Sequence, residues 1–391
     1  MAKEYINGMK ITDIATAKAY LIKKEEGDIS VEEIEATLNI LPNPERAERI
    51  AEIGNRGIVL SDVEGEMSVS SLIDFSGDEP VEEEQASGDI DDEKEILAAI
   101  SAGGKVKLAQ NISLSKGITI KKDLELDLNG KTISCDERIA MFTISNGAVV
   151  KVSNGNINAK YRAFYVTSGL LQIENGANIS AQDCALNTNG ANAKAIMNGG
   201  LVTAQEAGIL LTTGSSFEMN GGKIVGLDNG PIMGNGTAGQ GDISVVMNGG
   251  ELEANIQSTG YVAVGVYMPN SGSFVMNGGK IKANGGAGVV CRGGSSELLG
   301  GEIITTAHPS LEVGKVGDSR VVVPCSAVVY DKNSKYPTMD SLEIIIGENM
   351  VLNGAHSDVE IISEEEQPNI IDNRPNANPE PIEEPENGGV E

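Results

Sequence analysis

The chain lacks most of the residues that build an aromatic core or a metal-binding framework. Its 391 residues include no Trp, 5 Phe, 8 Tyr and 2 His, so the core must be aliphatic. Cysteine is also scarce, and no Cys-x-x-Cys pair occurs, so the sequence spells no zinc site. The wide spacing favours buried free thiols over a disulfide framework. The four cysteines are Cys135, Cys184, Cys291 and Cys325.

Positive charge is the second shortage. The formal net charge is -28, and residues 76–95 and 363–391 carry -9 and -8 of it. An acidic balance of this size repels nucleic acid and anionic lipid, so neither is expected as a partner.

No apolar run reaches the roughly 18 residues of a membrane span. Charged residues at the start of the chain, among them Lys3 and Lys10, argue against a secretory signal. Without such a signal, we expect the protein to leave the cell by lysis or by assembly on a virion.

A short repeated phrase organises the middle of the chain. Its copies start 21 to 29 residues apart, a variable spacing that suits stacked β coils with loops of different length. Asn and Gly tolerate the left-handed backbone that sharp corners need. The pattern therefore predicts a β-solenoid, whose function resides on its surface and at its ends. The copies are Asn129-Gly130, Asn154-Gly155, Asn175-Gly176, Asn198-Gly199, Asn220-Gly221, Asn248-Gly249, Asn277-Gly278 and the degenerate Gly300-Gly301.

Four segments are predicted along the chain. Residues 1–75 contain helix cues followed by an extended apolar stretch, and we expect a small helical and extended anchor region. Residues 76–91 form an acidic linker. Residues 92–362 form a capped parallel β-helix, in which a helix over residues 92–102 covers one end. Residues 363–391 are acidic and rich in proline, and they are predicted to be disordered.

The segment "EILAAISAGGKVKLAQNISLSKGITIKKDLELDLNGKTIS" carries a family resemblance. It resembles the opening of right-handed parallel β-helices of the pectate-lyase-like type, in which a capping helix precedes three-stranded coils. The resemblance covers about residues 92–362 and implies a mainly β fold. Enzymes similar to this fold cleave acidic polysaccharides with clustered Asp or Glu, often with calcium and a nearby Arg or Lys. The fold alone implies no activity.

Two columns of side chains are expected to stack along the coils. Met197, Met219, Met247 and Met276 each precede the Asn of their repeat, and we expect Leu128 and Leu299 in the equivalent place. We interpret this column as core packing rather than soft-metal binding. The corner asparagines are expected to form an amide ladder that stabilises the corners. The ladder members are Asn198, Asn220, Asn248 and Asn277.

No convincing catalytic cluster is visible, and we predict no catalytic, cofactor-binding or metal-binding residues. The acids lie at turns or outward positions, and the GGxGxDx calcium repeat is absent. Adjacent coils can still supply a carboxylate pair, which leaves glycoside hydrolysis open. Tyr261 and Tyr267, in the insertion at residues 256–271, point to an epitope or glycan site. The scattered acids are Asp183, Asp228, Asp242, Glu251 and Glu253, and no carboxylate pair stands at positions that match Tyr161, Arg162, Arg292 or His308.

The sequence predicts a non-enzymatic phage virion structural protein, either a head fibre or a capsid decoration protein. Its layout is similar to that of phage head fibres, decoration proteins and tailspikes. Residues 1–75 would bind the capsid or another virion protein, and the β-helix would be displayed for adhesion to a host-surface glycan. The alternatives are a tailspike-like polysaccharide depolymerase and an adhesin on the bacterial cell surface. A homotrimer is also left open.

Overall fold

The computed structural model describes the side chains of residues 93–234, 242–255, 263–269, 272–307, 325–331, 342–362 and 368–375, and the backbone of five short strands elsewhere. The chain divides into two compact units, Met1–Glu83 and Glu84–Glu391. The division falls inside the predicted linker. In the first unit, Tyr5–Ile6 pairs with Met9–Lys10 in antiparallel register. The predicted helices of residues 1–55 and the acidic linker up to residue 88 lie outside the described residues.

The second unit is a parallel β-helix, consistent with the right-handed class that the sequence predicted. Each coil contributes one strand to each of three columns, here called columns A, B and C in the order in which the chain passes through them. Columns A and B belong to one 20-stranded sheet, and column C is a 10-stranded sheet. Every pairing along the three columns is parallel, because each strand hydrogen-bonds to its counterparts in the coils before and after it.

The coils are numbered from the strand Gly104–Leu108. Column A consists of Asp89–Ile90, Gly104–Leu108, Leu124–Asp127, Ala148–Ser153, Gly169–Ile173, Ala193–Met197, Ser216–Met219, Ile243–Met247, Gly272–Met276, the first parts of Ser295–Thr306 and Glu343–Asn353, and Asn369–Asp372. Column B consists of Ile112–Ser113, Thr132–Cys135, Gly155–Ala159, Ala177–Ala181, Leu201–Ala204, Lys223–Gly226, Glu251–Asn255, Lys280–Asn284 and the second parts of the same two long strands. Column C consists of Ile118–Ile120, Ala140–Ile144, Arg162–Val166, Leu186–Asn189, Ala207–Thr212, Gly230–Gly234, Val264–Met268, Ala287–Cys291, Val328–Tyr330 and Val359–Ile361. A separate antiparallel pair joins Val313–Val316 to Val321–Pro324.

The core follows from the period-two pattern of the strands. Alternate residues point into the coil, and the inward positions are occupied by aliphatic side chains or Phe. In the eighth coil, Phe274 and Ile281 are fully buried, while Lys280 and Lys282 face outward as predicted. Phe142 and Phe164 stack inside neighbouring coils with ring centroids 5.1 Å apart.

The Met-Asn-Gly-Gly corner is explained by contacts between successive coils. The Met247 side chain points inward, and a Cβ placed on Gly279 of the next coil would lie 2.6 Å from its Cε. Gly279 also has a φ of 95°, which disfavours any other residue. The second glycine of the repeat therefore makes room for the methionine of the coil before it. The same relationship joins Met197 to Gly222, Met219 to Gly250 and Met276 to Gly301.

The methionine column is confirmed as core, but the prediction is wrong for its two leucine members. Met276 is in register with Leu298, whereas Leu299 is 39% exposed. At the other end Val152 is in register with Leu126, so Leu128 lies two residues beyond the column. Leu128 is out of place because the corner of its coil is two residues longer than the corner of the next coil. Leu299 is out of place because it stands at the position of the corner asparagine, so Gly300-Gly301 corresponds to the Gly-Gly of the repeat.

The N-terminal end of the coil stack is capped as predicted. The helix Glu93–Ala102 places Ile96 and Ile100 against the first coil, where both are fully buried. The Glu93 carboxylate accepts hydrogen bonds from the Ser115 backbone N–H at 2.6 Å and from its hydroxyl at 2.8 Å. The helix ends at Gly103, whose φ of 80° is typical of a residue that terminates a helix.

At the C-terminal end the prediction of disorder from residue 363 onward is wrong in part. Asn369–Asp372 forms a further strand of column A and pairs in parallel with Glu343–Ile346. The strand was missed because its apolar residues, Ile370 and Ile371, stand between acidic and proline-rich stretches. Residues 376–391 lie outside the described residues.

Candidate functional site

The outer face of column B has two chemically different halves. In the second to fifth coils its outward positions are mostly uncharged and polar, and four of them are aligned in successive strands. In the sixth to ninth coils the outward positions are largely Lys and Glu. The aligned uncharged residues are Ser134, Asn158, Ser180 and Thr203.

A groove runs along the uncharged half, parallel to the solenoid axis. We call it the corner groove, because one wall is the corner between columns B and C. Its volume is about 540 Å³. Small residues end the column B strands here, and Ala159 and Ala181 leave room for the cleft. The lining residues are Ser134, Asp136, Asn158, Ala159, Lys160, Ser180, Ala181, Gln182, Thr203, Gln205 and Leu227.

The corner groove is rich in groups that both donate and accept hydrogen bonds. Hydroxyl and carboxamide side chains have both capacities. The Ser180 hydroxyl donates to the Asn158 Oδ1 at 2.9 Å, which orients the Asn158 amide. At the far wall the Gln205 Nε2 donates to Asp228 at 2.7 Å. Asp136 and Lys160 contribute opposite charges, so the lining is close to neutral in a strongly acidic chain.

A compact ionic cluster lies next to the groove at the same corner. The Arg162 Nε lies 2.9 Å from an Asp183 carboxylate oxygen. Burial acts to lower the pKa of Arg162, but the hydrogen bond and the charge of Asp183 outweigh it and raise that pKa. The guanidinium carbons of Arg138 and Arg162 lie 5.3 Å and 4.6 Å from the centre of the Tyr161 ring. This ring therefore makes two cation–π contacts.

The charged half of column B brings Glu251 and Glu253 together with lysines. Lys223 forms ion pairs with both carboxylates, at 3.1 Å in the case of Glu251. Lys282 lies 2.9 Å from the same Glu251 oxygen, Oε1, that Lys223 contacts. The Lys282 hydrogen bond lowers the pKa of Glu251, and the Lys223 hydrogen bond lowers that of Glu253. The general acid of a glycosidase needs a raised pKa. The pKa values of Glu251 and Glu253 are lowered instead, so neither carboxylate suits that role.

The buried polar and thiol groups serve packing. Arg292 and Asp331 are paired at 2.8 Å and almost completely buried. All four cysteines are buried, and none of them forms a disulfide. Burial raises the pKa of Cys184 to about 12 and that of Cys291 to about 11, so neither is a reactive thiolate.

The residues singled out in the sequence are not brought together in one site. Asp183 and Arg162 meet at the corner, whereas Asp242 is exposed at the start of a column A strand. Tyr267 is only 7% exposed, so it is not the open glycan contact that the sequence suggested. His308 and Tyr261 lie outside the described residues.

The corner groove itself was missed by sequence reasoning. Its residues stand 22 to 24 positions apart and become neighbours only when the register of column B is known. The available signal was the alternation of small polar and aliphatic residues before each Ala or Cys at a strand end.

Two further observations concern ions and membranes. In the described part of the chain, no three His, Cys, Asp or Glu side chains are grouped as ligands of one metal ion. Among the same residues no helix has the length and apolar character of a membrane span.

Comparisons with protein-family models, curated proteins and solved structures gave no match.

Proposed function

We propose that this chain is a non-enzymatic display protein whose rigid β-helix binds a glycan in the corner groove. The observation that supports the proposal is the stack of Ser134, Asn158, Ser180 and Thr203 along one open cleft. A glycan presents hydroxyl groups along an extended chain, and its recognition needs side chains that donate and accept. Four coils at about 4.8 Å per coil place these groups along roughly 14 Å, a length suited to a short run of sugar rings.

The near neutrality of the groove indicates the class of glycan. An acidic polysaccharide would be repelled by the net charge of -28 and would meet Lys160 as the single cation in the groove lining. A glycan of mainly uncharged sugars avoids this penalty. No aromatic residue lines the groove, so binding rests on hydrogen bonds and a modest affinity is expected for one site.

The competing function is polysaccharide depolymerisation. It would require a carboxylate pair with one raised pKa at the bound chain. Glu251 and Glu253, which share Lys223, have lowered pKa values and lie on the charged half of column B. Asp183 is engaged by Arg162. These contacts favour binding over cleavage.

The experiment is a binding and cleavage assay on the same samples. The full chain is incubated with capsular and cell-wall polysaccharides of several hosts, and retention and polymer length are both measured. Retention of a neutral polysaccharide at unchanged length supports the proposal. Shortened chains overturn the non-enzymatic assignment, and no retention by any polysaccharide overturns glycan binding.

A matched pair of variants locates the binding site. Ser180→Leu fills the middle of the groove, and Leu201 shows that this face accepts an outward leucine. We expect about a tenfold loss of affinity, the effect of one or two lost hydrogen bonds. Glu253→Gln, on the same column outside the groove, is the control and should bind normally. Equal binding by all three proteins would contradict the groove assignment.

The place of this rod on a phage particle is the second part of the proposal. We infer that it is a head fibre or capsid decoration protein attached through residues 1–75, which belong to the unit Met1–Glu83. The presence of a separate compact unit and a long rod, about 45–50 Å for ten coils, supports a display role. Quantitative mass spectrometry of purified particles tests it. Copy numbers close to those of capsid components support it, a handful favours a tail position instead, and absence would direct attention to the bacterial surface.

A further inference from the structure

The fourth coil turns its corner differently from the four coils that follow. Ile173 is in register with Met197, so Glu174 takes the place that an asparagine occupies in the next coil. The Asn198 Nδ2 donates to the Glu174 carboxylate at 3.0 Å. Asn175 is thereby displaced to the tip of the corner, where both it and Gly176 are exposed.

Asn175-Gly176 is unusual in its hydrogen bonding. Among the described residues, the Asn175 side chain makes no hydrogen bond, and the Gly176 N–H makes none either. The other described Asn-Gly pairs retain at least one of the two bonds. In the ladder the amide is bonded, as at Asn198, and elsewhere the glycine N–H is bonded, as at Gly230, which donates to the Glu206 carbonyl at 3.3 Å.

These two groups are the ones that react when an asparagine loses its amide. The Gly176 nitrogen would attack the Asn175 Cγ, forming a new C–N bond. The bond from Cγ to Nδ2 then breaks, and ammonia leaves with the proton of the peptide nitrogen. Water opens the resulting five-membered imide at either carbonyl and gives aspartate or an isoaspartyl linkage. Water is the only co-reactant, and a glycine adds no side chain that would obstruct the attack.

We propose that Asn175-Gly176 is a site of spontaneous deamidation in the folded protein. The product places a second carboxylate beside Glu174, at the base of the asparagine ladder. The isoaspartyl form also lengthens the backbone by one methylene at a corner that packs closely, since the Asn175 side chain lies directly over Gly199 of the next coil. Deamidation over time would therefore change both the charge and the backbone at the base of the asparagine ladder.

Peptide mapping of the full chain tests the proposal. The folded protein is aged at mildly alkaline pH, and amide loss is followed at Asn175 and at Asn198, which has the same Asn-Gly sequence. We expect Asn175 to react at least roughly fivefold faster, the ratio that follows when one hydrogen bond of ordinary net strength must open first at Asn198. Asn175→Gln should remove the fast signal at this corner.

The same measurement in urea separates structure from sequence. In the unfolded chain the hydrogen bonds are gone, and the rates at Asn175 and Asn198 should converge. Equal rates in the folded protein, or a slower rate at Asn175, would overturn the proposal. A rate difference that persists in urea would also overturn it, because local sequence would then be the cause.

Discussion

The Asn248 Nδ2 donates to the Asn220 Oδ1 at 2.8 Å, and this bond is one link of an outward-facing ladder. Asn220 in turn donates to Asn198 at 3.0 Å, so each amide donates toward the N-terminal end of the solenoid. The ladder ends on Glu174, whose carboxylate accepts the bond from Asn198. Glu174 thus fixes the direction of every bond above it.

The first prediction concerns the ladder. Asn220→Ala removes two side-chain hydrogen bonds and should lower the free energy of unfolding by about 1–2 kcal/mol, since each such bond contributes about 1 kcal/mol or less at an exposed corner. Urea unfolding measures the change. The control is Asn178→Ala, which removes one longer bond, of 3.2 Å, to Asn156. An equal effect of the two variants would contradict the ladder's contribution.

The second prediction concerns the methionine column. Met247→Ala leaves a cavity in a fully buried position and should destabilise the fold by about 2–5 kcal/mol. Met247→Leu should cost less than about 1.5 kcal/mol because the volume is conserved and Leu298 already occupies this column. Thermal unfolding compares the two variants. A severe loss in Met247→Leu with normal folding of Met247→Ala would argue against core packing.

The third prediction concerns the terminal strand. Arg374 lies 2.8 Å from carboxylate oxygens of both Asp358 and Asp372, and it joins Asn369–Asp372 to the last coil. Arg374→Ala should increase hydrogen exchange in this strand while leaving the central coils protected. Lys194→Ala, on the outer face of column A, is the control.

The same contact predicts a pH dependence. The Arg374 hydrogen bond lowers the pKa of Asp372 from its ordinary value of 3.8. The stabilisation is therefore present above about pH 4 and is lost as the pH falls through the lowered pKa. Because both side chains are partly exposed, the effect should appear as local exchange of the strand rather than as global unfolding. Unchanged protection of the strand at low pH would contradict it.

The fourth prediction concerns Cys184. Burial raises its pKa to about 12 from an ordinary value of 9.0, so the folded state holds the proton more tightly than the unfolded chain. Its stabilising contribution is complete below pH 9 and is lost as the pH rises toward 12. Iodoacetamide should leave this thiol unmodified at neutral pH and react with it in urea. Rapid alkylation of the folded protein would show that the thiol is open to solvent.

The sequence predicts the coil architecture well because the corners impose their own residue types. Asn and Gly repeat where the backbone must turn sharply, and Met precedes them where the coil is filled from inside. The position of the capping helix follows from Ile96 and Ile100 on one face. Register was less predictable: one extra residue in the corner after Ile173 moves Asn175 out of the ladder, and local sequence does not reveal it.

The corner groove was harder to predict for the same reason. Ser134, Asn158 and Ser180 have no distinctive spacing, and their common face depends on the number of residues in every intervening loop. The expectation based on Tyr267 was wrong because an outward position in column C can be buried in a second apolar cluster, in which Tyr267 packs with Met233 and Val290. Surface chemistry on a solenoid is thus set by register more than by composition.

Hydrogen exchange of the full chain, with and without the polysaccharide that it retains, tests glycan binding in the corner groove most directly. We predict new protection at residues 158–160, 180–182 and 203–205, which share the corner groove, with no change at residues 251–253 and 280–282 on the charged half of the same column. Protection confined to the charged half or to the asparagine corners, or no protection at saturating polysaccharide, would contradict glycan binding in the groove.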